Sequence, residues 1–466
     1  MLLSTQSTQV PVRPTRRFDD PLPRDLDGVF ERALRSSRPA TSPSITGAVS
    51  RVIGLRFDVE GLDLPIGASV QMVDPLRRGG ALLSGEVVAV GDGVITCMPF
   101  GELRGLRVGA RVRGDARPTS IGVGPQLLGR VIDALGNPLD DGPPLTGLME
   151  VPLDGEPPHP MRRARIDTPM SLGIRAWDTL IPAGRGQRVG VFAGSGVGKS
   201  TTLGMIARNT AADVNVVALI GERGREVREF VESDLGPEGL ARSVLVVATS
   251  DAPALVRFRA AFVATRIAEY FRDQALDVML MMDSLTRFCM AQREIGLSAG
   301  EPPTSRGYPP SVFSLLPRLL ERAGAAEVGS ITGLYTVLVD GDDHNEPISD
   351  AARSILDGHV VLARRLAHAN HYPAIDVLAS VSRVVSAVTT SEQRALGGEL
   401  RQLLAAEAEA KDLIEIGAYV PGTNPVVDRA VALREPILGF LRQTVDDRCA
   451  APEAFDRLGR LLRSRP

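Results

Sequence analysis

Residues 193–200 read AGSGVGKS; they follow the apolar run VGVF at 189–192 and precede the helix-forming run TTLGMIAR at 201–208. This context of strand, turn and helix fits the phosphate-binding motif G-x-x-x-x-G-K-[ST], with Ala193 in place of the first glycine. Glycines let backbone N–H groups surround phosphate oxygens, and the helix N-terminus adds partial positive charge. The stretch therefore predicts an α/β fold built around a nucleoside triphosphate site.

The residues of this loop are expected to bind ATP and Mg²⁺. Lys199 would bring positive charge to the β- and γ-phosphates, and the Ser200 hydroxyl would ligate Mg²⁺. Lys199 is one of two lysines among 53 basic residues, so a lysine at this position is informative. The predicted nucleotide-binding residues of the loop are Ala193, Gly194, Ser195, Gly196, Val197, Gly198, Lys199, Ser200 and Thr201.

Two acidic residues follow apolar runs that are typical of buried strands. The run VMLMM ends at Asp283, and VNVVALIG precedes Glu222. Ligands bind at the carboxyl ends of the strands of an open α/β sheet. We expect Asp283 to hold Mg²⁺, directly or through water, and Glu222 to polarise the attacking water. A solvated acid in the charge-rich segment GERGREVREF is the alternative for Glu222, and the acidic run at 340–343 is interpreted as a solvated loop.

Composition divides the chain into four segments. Residues 1–42 are rich in Ser, Thr, Pro and Arg, which predicts a flexible arm with a short helix at 25–35. Residues 43–113 carry short β-branched runs between Gly, Asp and Pro, which predicts a small N-terminal β-barrel. Residues 114–385 predict an α/β P-loop (RecA-like) core with a mostly parallel sheet, and residues 386–466 predict a C-terminal α-helical domain. The predicted core strands are 189–192, 214–220, 244–248, 278–282, 332–339 and 376–378.

The bulk composition narrows the class of protein further. A net charge of −3 gives no global basic field, so nucleic acid is not expected as a partner. Cys97, Cys289 and Cys449 lack the spacing of a metal site and are interpreted as free thiols in a reducing compartment. No apolar run suggests a signal peptide or a membrane span. These features favour a cytoplasmic protein.

Several long segments resemble one family. They are GVFAGSGVGKS, ALIGERGREVREF, MMDSLTRFCMAQREIGL, GEPPTSRGYPPSVFSLLPRLLERAG, YTVLVDGDDHNEPISDAARSILDGH and HYPAIDVLASVSRV. Together they resemble the flagellum-specific ATPase of the type III protein export apparatus, which is similar to the catalytic head subunit of F-type ATP synthases. The resemblance runs from about residue 45 to about residue 445.

The resemblance implies a homo-oligomer, a hexameric ring with ATP at the subunit interfaces, and supports catalytic roles for Lys199 and Glu222. It further implies that Arg223 contacts the γ-phosphate side, that Arg383 is an arginine finger reaching a neighbour's nucleotide, and that Tyr372 packs on adenine. The implied partners are stator and stalk proteins of the apparatus, export chaperone–substrate complexes and, peripherally, a membrane export gate. The implied location is the cytoplasm, at the inner face of the cell membrane.

Other functions remain open at this stage. A virulence-type injectisome ATPase and an F-type ATP synthase catalytic subunit share the same motifs. A hexameric RNA translocase also pairs a small β-domain with such a core, but residues 43–113 hold few aromatic side chains, Phe57 and Phe100, for stacking on bases. A catalytically inactive regulatory subunit is disfavoured because the four expected catalytic residues are all present: Lys199, Glu222, Asp283 and Arg383.

Overall fold

The protein is described by a computed structural model that covers residues 45–73, 82–339 and 346–464. The helix predicted at 25–35 and the acidic loop predicted at 340–343 lie outside these ranges. Within them, no helix is both long and apolar enough to cross a lipid bilayer.

Six strands close into a small barrel in the order β1-β2-β5-β4-β3-β6. They are β1 (Ile45–Ile53), β2 (Arg56–Glu60), β3 (Ala68–Val73), β4 (Leu82–Gly91), β5 (Val94–Pro99) and β6 (Arg111–Pro118). Pairings such as β2 with β5 and β3 with β4 are antiparallel. Alternate residues such as Phe57 and Val59 point into an apolar interior because side chains alternate between the faces of a strand. The predicted N-terminal barrel is confirmed, whereas the predicted domain boundaries stay predictions.

Short strands connect the barrel to the central sheet. They are β7 (Ser120–Val123), β8 (Arg130–Asp133), β9 (Met149–Pro152), β10 (Pro169–Met170) and β11 (Ala183–Gly184). Strand β7 pairs with β9, and β10 pairs with β11, so each pair forms a small two-stranded sheet. Strand β8 forms one edge of the central nine-stranded sheet.

The central sheet has nine strands, and its main path runs β19-β18-β12-β17-β15-β13-β14-β8. The strands not yet introduced are β12 (Arg188–Ala193), β13 (Val214–Ile220), β14 (Ser243–Ala248), β15 (Asp277–Asp283), β16 (Gly324–Ala325), β17 (Ser330–Leu338), β18 (Gly358–Leu362) and β19 (Ile375–Ser382). The path from β18 to β8 is parallel, whereas β19 and the short β16 are antiparallel to their partners. The predicted, mostly parallel sheet is confirmed, and β19 extends four residues beyond the predicted 376–378.

Helices cover both faces of this sheet and form the C-terminal part of the chain. They are α1 (Arg175–Leu180), α2 (Lys199–Asn209), α3 (Gly224–Glu229), α4 (Gly236–Ala241), α5 (Ala254–Arg272), α6 (Leu285–Ala299), α7 (Pro310–Leu320), α8 (Pro347–Ile355), α9 (Arg364–His368), α10 (Val385–Val388), α11 (Ser391–Glu415), α12 (Pro425–Ala432), α13 (Arg434–Leu441) and α14 (Ala451–Arg463). A π-helical turn, Phe230–Leu235, joins α3 to α4, and α11–α14 confirm the predicted C-terminal helical domain.

Two hydrophobic cores flank the sheet. Val216, Ala218 and Ile220 of β13 belong to one core, and Val217 and Leu219 belong to the other. A parallel strand buried on both faces needs apolar residues at successive positions, which is why these runs are almost continuously apolar. Asp283 ends one of these strands and Glu222 lies just beyond another, and the candidate site forms at these strand ends.

A partly buried acid of the barrel faces an arginine of the core. Glu86 of β4 lies 3.9 Å from the Arg259 guanidinium of α5. Burial raises the pKa of Glu86 from 4.5 to about 7, and Arg259 offsets only part of this. Arg259 also donates hydrogen bonds to the carbonyl oxygens of Ala134 (2.9 Å) and Ser120 (2.8 Å). The folded chain therefore favours the protonated form of Glu86.

This raised pKa predicts a pH-dependent stability. The stabilising effect of protonated Glu86 is complete below about pH 4.5 and is lost as the pH rises through 7. We expect Glu86→Gln to raise Tm by about 2–4 °C at pH 8 and by much less at pH 5. Thermal unfolding at both values checks this, with exposed Glu60→Gln as the control. An equal shift at the two pH values would contradict the assignment.

Candidate active site

The strand order brings three functional segments to one edge of the sheet. Lys199 begins α2, the helix after β12. Asp283 is the last residue of β15, and Glu222 lies two residues after the end of β13. In the sheet, β17 lies between β12 and β15, and β13 lies next to β15. Because these strands are parallel, their carboxyl ends open at the same edge. Residues far apart in sequence therefore meet around the start of α2.

The phosphate loop leaves β12 and turns sharply into α2. Gly196 and Gly198 have φ values of 76° and 84°, a left-handed conformation that glycine adopts without strain. Ser195 and Gly196 are exposed at the tip, whereas the Val197 side chain is buried in the core. Ala193 is also buried, as the last residue of β12, so its methyl group packs into the protein rather than into the loop's concave side.

Lys199 lies between the two predicted acids. Its Nζ is 3.3 Å from Glu222 Oε1 and makes a second ion pair with Asp283 Oδ1. The side chain is 11% exposed. Burial lowers the pKa of Lys199, but the charges of Asp283 and Glu222 outweigh it and hold this pKa above its ordinary value. The lysine is therefore fixed in its charged form at the mouth of the loop.

Asp283 is almost fully buried and is held in place by a residue that the sequence did not single out. Thr336 of β17 donates a hydrogen bond of 2.7 Å to Asp283 Oδ1. Both side chains are buried, at 2% exposure for Asp283 and 0% for Thr336. Thr336 is a polar residue within an apolar strand, and this was its only signal in the sequence.

Glu222 belongs to a pair of carboxyl groups. Burial raises the pKa of Glu222, and the nearby charge of Asp283 and a hydrogen bond with Glu226 act in the same direction, while Lys199 opposes them. The same hydrogen bond with Glu222 lowers the pKa of Glu226. Glu226 was missed by the sequence reasoning, although it lies four residues after Glu222 at the start of α3. Glu222 is thus a partly desolvated carboxyl group with a defined hydrogen-bond partner.

The structure does not bring Arg223 to Lys199. The Arg223 side chain is 69% exposed, and its Nη1 lies 3.3 Å from Glu226 Oε1. Arg287 of α6, which the sequence reasoning also missed, lies beside Gly221, the residue that precedes Glu222. Its stem packs on Gly221, where an added Cβ would lie 3.0 Å from Arg287 Cβ. Arg287 Nε is buried and has no hydrogen-bond acceptor among the described residues.

Ser200 and Thr201 lie on the first turn of α2, directly after Lys199. The Thr201 hydroxyl makes a hydrogen bond with Asp234, a residue of the π-helical turn. The described residues contain no group of three or more His, Cys, Asp or Glu side chains placed to hold a metal ion. Mg²⁺ needs only one or two protein oxygens when phosphate and water supply the rest, so the hydroxyl of Ser200 and the carboxylate of Asp283 fit this ion.

Tyr372 and Arg383 lie at opposite ends of β19. The Tyr372 ring packs on the loop, since a Cβ added at Gly198 would lie 3.3 Å from its Cδ1. Arg383 follows the carboxyl end of β19, where Ser382 pairs with Gly358 at the start of β18. Because β19 is antiparallel, Arg383 lies at the other edge of the sheet, level with Asp357 and about 17 Å along the strands from the end of β12. The structure therefore brings Tyr372 to the loop and leaves Arg383, which is exposed, away from it.

The C-terminal part of the chain is tied to Tyr372 by hydrogen bonds. The backbone N–H of Gln443 donates to the Tyr372 carbonyl oxygen at 2.9 Å. The Gln443 side chain accepts from the N–H of Arg175 (2.9 Å) and donates to the Gly173 carbonyl oxygen (2.8 Å). Gln443 is buried, and its place in the run LRQTV at 441–445 gave the sequence reasoning no sign of this role. The loop that carries Tyr372 is thus anchored to the segment after α13.

The contact between Tyr372 and Gly198 can be tested. We expect Gly198→Ala to weaken ATP binding at least about tenfold, because the methyl group would meet the Tyr372 ring in a left-handed backbone that costs roughly 1–2 kcal/mol for alanine. Titration with a fluorescent ATP analogue measures the affinity. Gly417→Ala is the control, since Gly417 has a φ of +71° but no contact within 4 Å. Equal affinities for both variants would contradict the predicted role of this position.

Comparisons with known proteins agree with this architecture. Residues 49–114 match the β-barrel domain of the ATP synthase alpha/beta family, and residues 173–382 match the nucleotide-binding domain of the same family. Residues 389–460 match the C-terminal domain of the type III secretion ATPase EscN. The matched regions thus include the barrel, most of the central sheet and α11–α13.

Individual relatives cover most of the chain. It is 50% identical to the flagellum-specific ATP synthase of Bacillus subtilis (strain 168), over 88% of this chain and 94% of that protein. It is 51% identical to the type 3 secretion system ATPase of Xanthomonas euvesicatoria, over 88% and 93%. The structure of the assembled ATPase EscN from enteropathogenic E. coli is similar, with a TM-score of 0.85 and 45% identity over 89% of this chain and 100% of EscN. The chain belongs to the ATP synthase alpha/beta family and, within it, to the flagellum-specific and type III secretion ATPases.

Proposed function

We propose that this ATPase hydrolyses Mg·ATP as a ring-shaped homo-hexamer and that the reaction drives the export of flagellar proteins. The observation that supports hydrolysis is the ion-pair cluster of Lys199 with Glu222 and Asp283 at the mouth of the phosphate loop. A charged lysine, a hydroxyl at Ser200 and two carboxylates are the groups that phosphoryl transfer requires.

Lys199 would exchange partners when ATP binds. Its ammonium group is held by two carboxylates, and the phosphate oxygens of ATP would replace part of this contact. Ser200 and Asp283 are the residues that would hold Mg²⁺, and Thr336 would keep the Asp283 carboxylate oriented. Bound Mg²⁺ would neutralise charge on the β- and γ-phosphates. With Asp283 assigned to Mg²⁺ and to the hydrogen bond from Thr336, Glu222 is the remaining carboxylate that would act on the water.

Glu222 would polarise the attacking water. Burial raises the pKa of this carboxyl group, which makes it a better proton acceptor than an exposed glutamate. The hydrogen bond with Glu226 requires the proton to be on Glu222, so Glu222 would have to release this proton before it accepts one from water, and Lys199 would favour that ionised form. Arg287, whose Nε has no acceptor among the described residues, is proposed to donate to the γ-phosphate from the neighbouring α6. Arg223 is proposed to reach the same side only after releasing Glu226.

Arg383 would act on the nucleotide of a neighbouring chain. It lies at the edge of the sheet opposite to its own phosphate loop and is exposed, so a role within the same chain is disfavoured. An arginine supplied from a neighbour stabilises charge that develops on the transferred phosphoryl group. Tyr372 would pack on the adenine of the nucleotide in its own chain, because it lies against Gly198.

The proposed partners follow from the relatives. EscN is described as an assembled ATPase, and a second structure, with a TM-score of 0.82, shows it with its central stalk EscO. We propose an equivalent ring and stalk for this chain, together with stator proteins, chaperone–substrate complexes and peripheral contact with a membrane export gate. We propose the cytoplasmic face of the cell membrane as its location.

We prefer the flagellar branch because the sequence segments quoted above resemble the flagellum-specific ATPase. The injectisome branch is the alternative, because relatives from the two branches are about equally similar to this chain.

The role of Glu222 predicts a separation of binding from turnover. We expect Glu222→Gln to reduce kcat at least about 10²-fold while ATP affinity stays close to that of the wild type, because the carboxylate acts on water. Steady-state phosphate release and nucleotide titration measure the two quantities. Glu232→Gln, an exposed acid on the π-helical turn, is the matched control. Turnover near the wild-type rate would remove Glu222 from the mechanism.

The same variant tests the export branch in cells. A strain whose only copy carries Glu222→Gln is expected to lack flagellar filaments. Normal filaments together with a loss of protein injection into host cells would contradict the flagellar proposal and support the injectisome alternative.

The role of Arg383 predicts complementation between chains. Arg383→Ala and Lys199→Ala are each expected to lose at least about 10³-fold in turnover as pure proteins. A mixture should recover measurable activity, because an intact loop on the Arg383→Ala chain meets an intact Arg383 on the Lys199→Ala chain. Phosphate release at constant total protein measures the recovery, and Arg448→Ala is the control. No recovery in mixtures that form rings would contradict action on a neighbour.

A further inference from the structure

A cleft of about 330 Å³ lies between β19 and α11, away from the phosphate loop. Two arginines of α11, Arg394 and Arg401, line it, and they are seven residues apart. Seven residues are close to two helical turns, so both side chains project from the same face, about 10.5 Å apart along the helix axis. The apolar part of the wall includes Leu180 and Val381. The volume is within the range of small-molecule sites.

In the part of the chain that the structure describes, both arginines of the cleft bond to carbonyl oxygens rather than to carboxylates. Arg401 donates from Nη2 to the carbonyl oxygens of Leu180 (3.0 Å) and Ser380 (3.1 Å). Arg394 donates from Nη1 to the carbonyl oxygens of Ser386 (3.2 Å) and Thr389. No acidic side chain lines the cleft within the described residues. Burial lowers the pKa of Arg401 without an opposing acid. A half-buried arginine usually pairs with a carboxylate. Arg401 has only carbonyl acceptors among the described residues, so an anion could bind to it.

Two glycines between the arginines leave the helix surface bare. A Cβ at Gly397 would lie 3.1 Å from the Thr179 carbonyl oxygen, so internal packing explains this glycine. A Cβ at Gly398 would have no atom within 4 Å, so nothing in the described chain requires a glycine there. Glycine within a helix lowers helix stability. Gly398 therefore keeps open a space, beside two arginines, that the chain itself does not use.

We propose that this cleft binds a small molecule that carries phosphate groups, with its oxygens between Arg394 and Arg401 and its body over Gly398. Each guanidinium retains N–H groups beyond those that bond carbonyl oxygens, and arginine pairs with phosphate through more than one N–H at a time. The ligand would contact Ser382 and Val385, which flank Arg383 on both sides along the chain. The site itself does not depend on the proposed role of Arg383.

Calorimetric titration with inorganic pyrophosphate tests this proposal. The full-length chain is first saturated with magnesium ADP, so that the phosphate loop is occupied, and ionic strength is held constant. We expect one further saturable site per chain. The variants Arg394→Gln and Arg401→Gln are each expected to weaken it about tenfold or more. Arg448→Gln, in the segment before α14, and Arg457→Gln, on α14, remove the same charge elsewhere. Both control variants should leave pyrophosphate binding unchanged.

A second variant keeps the test independent of folding. Gly398→Leu fills the open space and adds a good helix former at an exposed position, so its Tm should be equal to or above that of the wild type. We expect it to abolish pyrophosphate binding. Unchanged binding in Gly398→Leu, or no binding to the wild type at millimolar concentration, would overturn the proposal. The proposal would also be overturned if the wild type does not bind pyrophosphate and Arg401→Gln fails to assemble into rings. That result would indicate that the arginines pair with an acidic side chain of a second copy of this chain.

Discussion

The ion pairs of Lys199 with Glu222 and Asp283 hold together the segments on which the active site depends. A buried ammonium group is stable only with charged partners, and here these come from the ends of two other strands. The cluster carries one positive and two negative charges, and Mg²⁺ bound there would offset the excess of carboxylate charge. The fold therefore places a lysine for the phosphates and carboxylates for the cation at the same ends of the strands.

The sheet order makes that cluster possible. Strand β17 separates β12 from β15 and places Thr336 beside Asp283, while β13 delivers Glu222 from the far side. The two hydrophobic cores hold these strands rigidly, because β13 to β15 are buried on both faces. Small displacements of one strand end would therefore change the distance between charges, rather than be absorbed by soft packing.

Much of this architecture could be predicted from local sequence. The phosphate loop, the apolar core strands and the acids at their ends follow from spacing, since the pattern of one strand or turn is contained in a few residues. Thr336, Glu226 and Arg287 could not be found in this way. Their positions depend on which strands and helices become neighbours, and that order is not encoded in any short stretch. The short prediction for β19 has a local cause, since Ala379, Ser380 and Ser382 interrupt the apolar run although the strand continues to Ser382.

Strand β19 has one end at Tyr372 and the other at Arg383. In the proposed closed ring, β19 would link two nucleotide sites. The end near Tyr372 would contact the adenine bound by the same chain, and the end near Arg383 would reach the triphosphate bound by a neighbouring chain. An extended strand of eight residues does not shorten. A displacement of β19 near Tyr372 would therefore also move the end near Arg383. In the proposed ring, neighbouring sites would therefore be mechanically coupled through β19.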